Sequence, residues 1–283
     1  TARALAEQKR ITLLIAPVDS AGRVDPAWIG SHLNSRTILV SVMWINNEIG
    51  TVQDIAKISE VIGNFRKESK KESTPYPLFH TDAVQAFQYS PVDVSLVSVD
   101  LLTLAGHKIY APKGVGLLYV RNGTPLTTQT AGGGQERGLR SGTESVPLAL
   151  ALSLAMERAA KLRAKESARL RTLHGAFVKL IKSRIKNTRI ISSAAHGSPH
   201  IISVLIDHIS ADELLFLLDE AGIAASLGSA CTTGKLEPSR VLSAMGINED
   251  SAPLRLSMGR ETRMSDIRTA VSALTGISAK FLK

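Results

Sequence analysis

Apolar runs of strand length alternate with helical periodicity along the first half of the chain. The predicted strands of this half are 11–16, 37–45, 78–81, 99–104 and 114–120, and 55–65 is a predicted helix. The run 99–104 is apolar except for Asp100 and Thr103, as expected of a strand buried on both faces of a parallel sheet, and 37–45 is also expected to be a buried strand. Asp25 is expected to cap a short helix after the first turn. The alternation predicts an α/β fold with a mostly parallel sheet.

The second half of the chain has a different pattern. A long helical stretch covers 144–185, and the elements predicted after it are strands 201–206 and 254–258 and helices 211–220, 239–245 and 264–281. We expect the long helix to bridge two domains. The chain is therefore predicted to contain a large domain at 1–163 and a smaller α+β domain at 164–283.

Three predicted strands of the first half end in polar residues. The clusters contain Asn47, then Asp82 with Gln85, then His107 with Lys108. Ligands of open α/β sheets bind beyond the carboxyl ends of the strands, so we expect the three clusters to lie along one edge and form a ligand site. A lysine at the mouth of an apolar strand is poorly solvated, and its amine can form a Schiff base with a carbonyl cofactor.

Each of these residues also has a structural explanation. Lys108 can extend to solvent from a strand end, and Asp82 can cap one. Asn47 can stabilise a turn, and His107 can be a hydrogen-bonded core histidine. Their occurrence at three successive strand ends favours a cofactor site instead. Pyridoxal 5′-phosphate (PLP) requires an aspartate that keeps its pyridinium nitrogen protonated, an amide (Gln85 or Asn47) that bonds its phenolate oxygen, and a lysine.

The only cysteine, Cys231, lies in segment 226–239, where small residues predominate. Such a segment cannot pack a core, so we expect an exposed loop on which a thiolate can reach and attack a ligand. The alternative is a loop cysteine without a function. A single cysteine excludes an internal disulfide and favours a reducing compartment. Arg255, in a later predicted strand, can hold the carboxylate of an amino acid.

Charge and hydropathy limit the range of partners. The 34 lysine and arginine residues outnumber the 25 acidic ones, giving a formal net charge of +9. The basic residues are spread over predicted helix faces with few aromatic residues between them, so we expect solvated faces and no direct nucleic-acid binding. No apolar run reaches membrane-spanning length and the first residues form no signal peptide, so we expect no membrane association. The histidines lack ligand spacing, so we expect no metal site.

Several segments in this order match a known family. They are NNEIGTVQDI, HTDAVQ, GHKIYAPKGVG, GGGQERGLRSGTES, SLGSACTT, LEPSRVL and RLSMGR. With them the chain resembles the cysteine desulfurases, PLP enzymes of the class V aminotransferase group with the type I fold. The long small-residue segment before LEPS resembles the branch that serves iron–sulfur cluster assembly and tRNA thiolation. This resemblance implies a PLP-binding large domain, a C-terminal domain that carries the cysteine loop, and a cytoplasmic sulfurtransferase.

The resemblance also implies a role for each residue at the strand ends. It implies that Lys108 forms the Schiff base with PLP and that Asp82 pairs with the pyridine nitrogen. Gln85 and Asn47 would contact the ring oxygen or the substrate. His107 would lie on the phosphate side of the cofactor.

Further implied roles concern substrate and partners. Thr143 is similar to a threonine that reaches the phosphate of the partner subunit, which implies a homodimer. Arg255, with Asn47, would bind the substrate L-cysteine, and Cys231 would take its sulfur as a persulfide, leaving L-alanine. The sulfur would pass to an acceptor or iron–sulfur scaffold protein.

The chain departs from the family at two places. Ala105 stands where the family usually has a serine that bonds the phosphate. The family's N-terminal phosphate loop and its ring-stacking histidine have no counterpart in 1–16, so we expect a shortened sequence of a complete enzyme. The alternative is a natural short chain that binds PLP poorly. Selenocysteine lyase, or an interaction-only relative without activity, are the competing functions.

Overall fold

The computed structural model describes residues 1–69, 75–193, 197–227, 239–247 and 251–281. The helices in these ranges are α1 (Ala2–Glu7), α2 (Pro26–His32), α3 (Ile55–Glu68), α4 (Val146–Arg184), α5 (Ala211–Glu220), α6 (Arg240–Ala244) and α7 (Met264–Phe281). The strands are β1 (Leu39–Met43), β2 (Leu78–Asp82), β3 (Leu101–Ala105), β4 (Gly116–Val120), β5 (Thr188–Ile190), β6 (Ile201–Asp207) and β7 (Ser251–Ser257). In this part of the chain no helix combines the length and the apolar composition needed to cross a bilayer.

The first sheet has the strand order β1-β2-β3-β4. Strands β1, β2 and β3 are parallel, and β4 returns antiparallel to β3. Gly116 begins β4 at a close approach, since a Cβ there would lie 2.8 Å from the carbonyl oxygen of Leu104. The predicted mostly parallel sheet is thereby confirmed, and the carboxyl ends of three strands share one edge.

The central strands of the first sheet are mostly buried, whereas the edge strand β1 is exposed on one face. Side chains of β2 and β3, among them Phe79 and Leu102, pack with α3 into a buried core. On β1, however, Leu39 is 49% exposed, so the prediction of a fully buried strand at 37–45 is wrong for this structure. The strand predicted at 11–16 is also wrong, because these residues form neither helix nor strand. An apolar run by itself does not supply the neighbouring strand that a sheet requires.

The second sheet, β5-β6-β7, is antiparallel throughout the described residues. Its strand β6 is buried along almost its whole length and packs with α7 and the second half of α4. The 39-residue α4 contributes Leu152 and Ala159 to the core of the first sheet and Phe177 and Ile181 to the core of the second. The predicted long helix is confirmed and packs against both cores, whereas the division into two domains at residues 163 and 164 stays a prediction.

The first turns of α4 carry an apolar stripe that faces solvent in this chain. Val146, Leu150 and Leu154, spaced four residues apart, are 71%, 60% and 58% exposed. Residues at this spacing lie on the same side of a helix. The stripe is therefore a continuous apolar surface beside the glycine-rich segment 130–143.

A buried carboxylate connects the first sheet to α3. Asp100 accepts a hydrogen bond from the backbone N–H of Phe79 at 2.7 Å and forms an ion pair with Arg66 of α3. Arg121 lies 4.0 Å away on its other side. Breaking such a pair leaves a charge and a backbone donor without a partner in a poorly hydrated place.

We expect Asp100→Ala to lower the free energy of unfolding by roughly 3 kcal/mol, because it removes one member of a buried ion pair. Urea unfolding followed by circular dichroism measures this. Glu60→Ala is the control, since it breaks the exposed pair between Lys57 and Glu60, which should change stability little. Equal losses in the two variants would contradict the assigned role of Asp100.

Candidate functional site

Asp82 ends β2 at the centre of the shared edge. Its backbone carbonyl accepts a hydrogen bond at 2.8 Å from the N–H of Trp44, which follows β1. The N–H of the next residue, Ala83, donates to the carbonyl of Thr103 in β3 at 3.0 Å. Its carboxylate oxygen Oδ1 accepts from Val84 N at 2.9 Å. Strand pairing on both sides and the turn bond therefore fix where this half-buried carboxylate lies.

Lys108 lies in a single 3-10 turn, Gly106–Lys108, directly after β3. Gly106 donates to Val115 O at 2.9 Å, and its carbonyl accepts from Ile109 N and Ala111 N at 2.9 and 3.0 Å. A Cβ on Gly106 would lie 3.0 Å or less from Val115, so a larger residue would disturb the turn. The turn thus holds Lys108 at the end of the strand.

Lys108 and His107 are both exposed in this structure. The expectation that the end of an apolar strand leaves Lys108 poorly solvated is therefore wrong here. The core-histidine explanation of His107 is wrong as well. The turn directs both side chains away from the core although the strand before it is buried.

Asn47 lies in a tight turn after β1. In that turn Asn46 Oδ1 accepts from Glu48 N and Ile49 N at 2.8 and 3.0 Å, so Asn46 holds the backbone conformation. Arg255 of β7 donates from Nη1 to the backbone carbonyl of Asn47 at 3.0 Å. The structure therefore brings Arg255 from the second sheet to the end of β1.

Gln85 joins the site through a residue that the sequence analysis did not single out. Its Oε1 lies 2.9 Å from Nε2 of His200, which precedes β6. Nδ1 of His200 lies 2.6 Å from Ser198 Oγ, and the imidazole stacks on Tyr89 with 4.0 Å between ring centres. The dipeptide Pro199-His200 directly before an apolar strand is the one signal in the sequence that indicated a polar group at the strand entrance.

Burial, together with the nearby positive charges of Lys108 and Arg255, lowers the pKa of the His200 imidazole to about 3. This ring, 6% exposed, is therefore neutral at physiological pH. Lys108 and Arg255 both act electrostatically on His200, so the three groups share one region between the sheets. From the sequence, Lys108 and Arg255 are expected to share one site only because the chain resembles the cysteine desulfurases.

Cys231 lies outside the described residues, but both flanks of its segment are placed. On one side Ser226 pairs with Arg255, donating from N to Arg255 O at 3.2 Å and accepting from Arg255 N at 2.7 Å. On the other side Ser239 donates to Glu48 Oε2 at 2.6 Å. The segment that carries Cys231 therefore starts beside Arg255 and ends beside the turn after β1.

Thr143 lies away from these contacts. It is exposed, in a segment whose hydrogen bonds join its own residues, such as Ser141 Oγ to Gly133 O at 2.8 Å. The structure does not bring Thr143 to the strand ends within this chain. Among the described residues there is also no group of three or more histidine, cysteine, aspartate or glutamate side chains that could hold a metal ion.

The strand ends together offer complementary chemistry. Asp82 supplies an anion, Lys108 an accessible amine, Gln85 an amide and Arg255 a guanidinium beside Asn47. A carboxylate and an amine at the carboxyl edge of a parallel sheet suit a small cofactor or substrate with both basic and acidic groups. The fold defines an α/β protein with a candidate ligand site between two sheets.

Comparisons with known proteins identify the family. The model of the aminotransferase class-V family matches residues 1–269, and the chain belongs to this family. It is 39% identical over 268 residues to a cysteine desulfurase of Gluconacetobacter diazotrophicus and 36% identical over 269 residues to the cysteine desulfurase NifS of Azotobacter vinelandii. Each alignment covers 93% of this chain but only 64% of the relative, so the chain spans less than two thirds of their length. The solved structure of a NifS-like protein superposes with a TM-score of 0.86 at 29% identity, covering 98% of this chain and 71% of that one.

The buried imidazole predicts a loss of stability in mild acid. An unfolded histidine takes up a proton near about pH 6.5, whereas folded His200 does so only near about pH 3. The unfolded state therefore binds more protons between these values, and the free energy of unfolding falls as the pH drops through this window. His80 and His174, whose pKa values are also lowered by burial, act in the same direction.

We therefore expect urea unfolding of the wild type to show a clear loss of stability between about pH 7.5 and about pH 5.5, above the range where most carboxylates titrate. His200→Phe should lose less over the same interval, because it has no imidazole to protonate on unfolding. An identical pH dependence in the two proteins would show that His200 is not held neutral.

Proposed function

We propose that this protein is a cysteine desulfurase, a PLP-dependent sulfurtransferase. It removes the sulfur atom of L-cysteine, releases L-alanine and keeps the sulfur as a persulfide on Cys231. The observation that carries the proposal is the meeting of Asp82, Gln85 and Lys108 at one edge of the first sheet, with Arg255 reaching it from the second. The name cysteine desulfurase on the similar proteins supports the same reaction.

The residues at this edge fit PLP by their chemistry. The Asp82 carboxylate would hold the pyridine nitrogen in its protonated form, and Gln85 would donate an amide N–H to the ring oxygen. Lys108 supplies an exposed amine for the aldehyde group, and the exposed His107 beside it would lie on the phosphate side. When bound, PLP supplies an electron sink that weakens the bonds to the α-carbon of an amino acid.

Arg255 and Asn47 would bind the substrate. A guanidinium presents several N–H donors in one plane, which suits the carboxylate of L-cysteine. The bond from Arg255 Nη1 to the carbonyl of Asn47 orients that plane. The side-chain amide of Asn47 adds a polar group at the same place.

Cys231 would accept the sulfur atom. Its segment is anchored at Ser226 beside Arg255 and at Ser239 beside Glu48, so the thiol belongs to a stretch that starts and ends at the site. In the reaction the Cys231 thiolate would attack the sulfur of the bound cysteine, forming an S–S bond as the Cβ–S bond of the substrate breaks and the carbon takes up a proton. One thiol and one L-cysteine give one persulfide and one L-alanine, so no external oxidant is needed.

A cytoplasmic homodimer is the assembly that we propose. The exposed apolar stripe of Val146, Leu150 and Leu154 beside the glycine-rich segment supports it, because a second copy would remove this surface from water. Thr143 lies on that segment, exposed, where it would reach the phosphate of a cofactor bound by the partner. The persulfide would then pass to a sulfur acceptor or an iron–sulfur scaffold protein.

We expect added PLP to give an absorbance band that depends on Lys108 and changes when L-cysteine is added. Lys108→Ala should lose the band, because it removes the amine that holds the cofactor. Lys113→Ala is the matched control, an exposed lysine five residues further along the same segment, and should keep the band. A band of equal strength in Lys108→Ala, or none in the wild type, would contradict the proposed cofactor site.

We expect Cys231→Ser to keep the PLP band and its response to L-cysteine but to form no persulfide and release no sulfide. Mass spectrometry after L-cysteine should show one added sulfur atom in the wild type, and because Cys231 is the only cysteine its position is unambiguous. Undiminished sulfide release by Cys231→Ser would count against the proposal. A much faster turnover of L-selenocysteine than of L-cysteine would indicate selenocysteine lyase instead.

A further inference from the structure

His200 is a buried polar residue for which the proposed reaction provides no role. It lies at the entrance of β6, where its backbone carbonyl accepts from Met258 N at 2.8 Å, and its side chain points across to Gln85 of the first half. A buried imidazole needs partners for both ring nitrogens. It has them in Gln85 and Ser198, at 2.9 and 2.6 Å.

The two partners determine which ring nitrogen carries the proton. A neutral imidazole has one N–H and one acceptor nitrogen. The carbonyl oxygen of Gln85 can only accept, so Nε2 must carry the hydrogen. Nδ1 then accepts from the hydroxyl of Ser198, which can donate. Stacking on Tyr89 fixes the ring plane in which both bonds lie.

The same bond determines the orientation of the Gln85 amide. A free glutamine side chain can exchange the positions of its oxygen and nitrogen by rotating about χ3 at little cost. When Oε1 is bonded to His200, the two N–H groups of Gln85 lie on the side of the amide that faces away from His200. Among the described residues Gln85 makes no second side-chain hydrogen bond, so these donors are available to a ligand.

We propose that His200 is a positioning residue that holds the carbonyl oxygen of Gln85, so that the amide N–H groups of Gln85 face the cofactor. The proposal rests on the proposed PLP site for its consequence but not for its geometry. Without His200 the amide of Gln85 would sample both orientations. In one of them its carbonyl oxygen would face the ring oxygen of PLP, which cannot donate a hydrogen bond to it. PLP binding would weaken although every residue that touches PLP is still present.

The geometry can be tested without cofactor in the wild-type chain. A long-range 1H–15N correlation spectrum of 15N-histidine-labelled protein distinguishes the two neutral tautomers, and the signal of His200 is the one missing from His200→Phe. We expect the Nε2–H tautomer, unchanged between about pH 8 and about pH 5. The Nδ1–H tautomer, or a charged ring in this range, would overturn the proposal.

The consequence can be tested by the affinity for PLP, measured by titrating its absorbance. His200→Phe keeps the ring and its stacking on Tyr89 but loses both hydrogen bonds, and we expect binding about tenfold weaker, the effect of one lost hydrogen bond. The matched control is His174→Phe, which removes a buried imidazole bonded to Ser192 and Pro199 at 3.4 Å each. That variant should bind PLP as the wild type does.

A double-mutant cycle separates positioning from general damage. In a Gln85→Leu background the further change His200→Phe should have no effect on PLP affinity, because the group that it orients is absent. Equal effects in both backgrounds, or an equal effect of His174→Phe, would overturn the proposal. If the wild type binds no PLP, the proposed function is contradicted, and the tautomer of His200 alone decides whether Gln85 is held as we infer.

Discussion

The parallel pairing of β1, β2 and β3 is the constraint on which the site depends. Parallel strands end at the same edge of a sheet, and no turn can join them directly, so the residues that follow each strand begin a loop there. Asn47, Asp82 and Lys108 come from sequence positions far apart and meet for this reason. The antiparallel return of β4 closes the sheet next to Lys108, with Val115 packed against the turn that carries it.

Contacts from the second half complete the site. Three residues of the turn after β1 accept hydrogen bonds from the second half. The carbonyl of Gly50 accepts from Ser198 N at 2.7 Å, and the carbonyl of Asn47 accepts from Arg255. The carboxylate of Glu48 accepts from Ser239. Because these bonds use backbone atoms and one carboxylate of the same turn, they hold Arg255 and His200 in a fixed relation to Asp82. Breaking these contacts would therefore displace Arg255 and His200 from the carboxyl ends of the first sheet.

Buried and exposed polar groups have different roles here. Asp100 and His200 are buried and fully partnered, and such groups cost stability unless every bond is made. Lys108 and His107 are exposed, with their positions fixed by a glycine turn. At the candidate site a buried, fully bonded imidazole, His200, therefore lies close to accessible groups, whereas Asp100 stabilises the opposite end of the first sheet.

The sequence by itself determined the order and type of most elements, because hydrophobic periodicity over ten or more residues is a local property. The helices α5 and α7 and the bridging α4 show this. It also indicated Asp82, Gln85 and Lys108, since polar residues directly after apolar strands are visible in the chain. Only the tertiary structure decided which apolar runs are strands, as 11–16 shows, because a strand needs a paired neighbour. It alone revealed His200, 115 residues from Gln85 in the chain, because a hydrogen bond across two sheets leaves no local pattern.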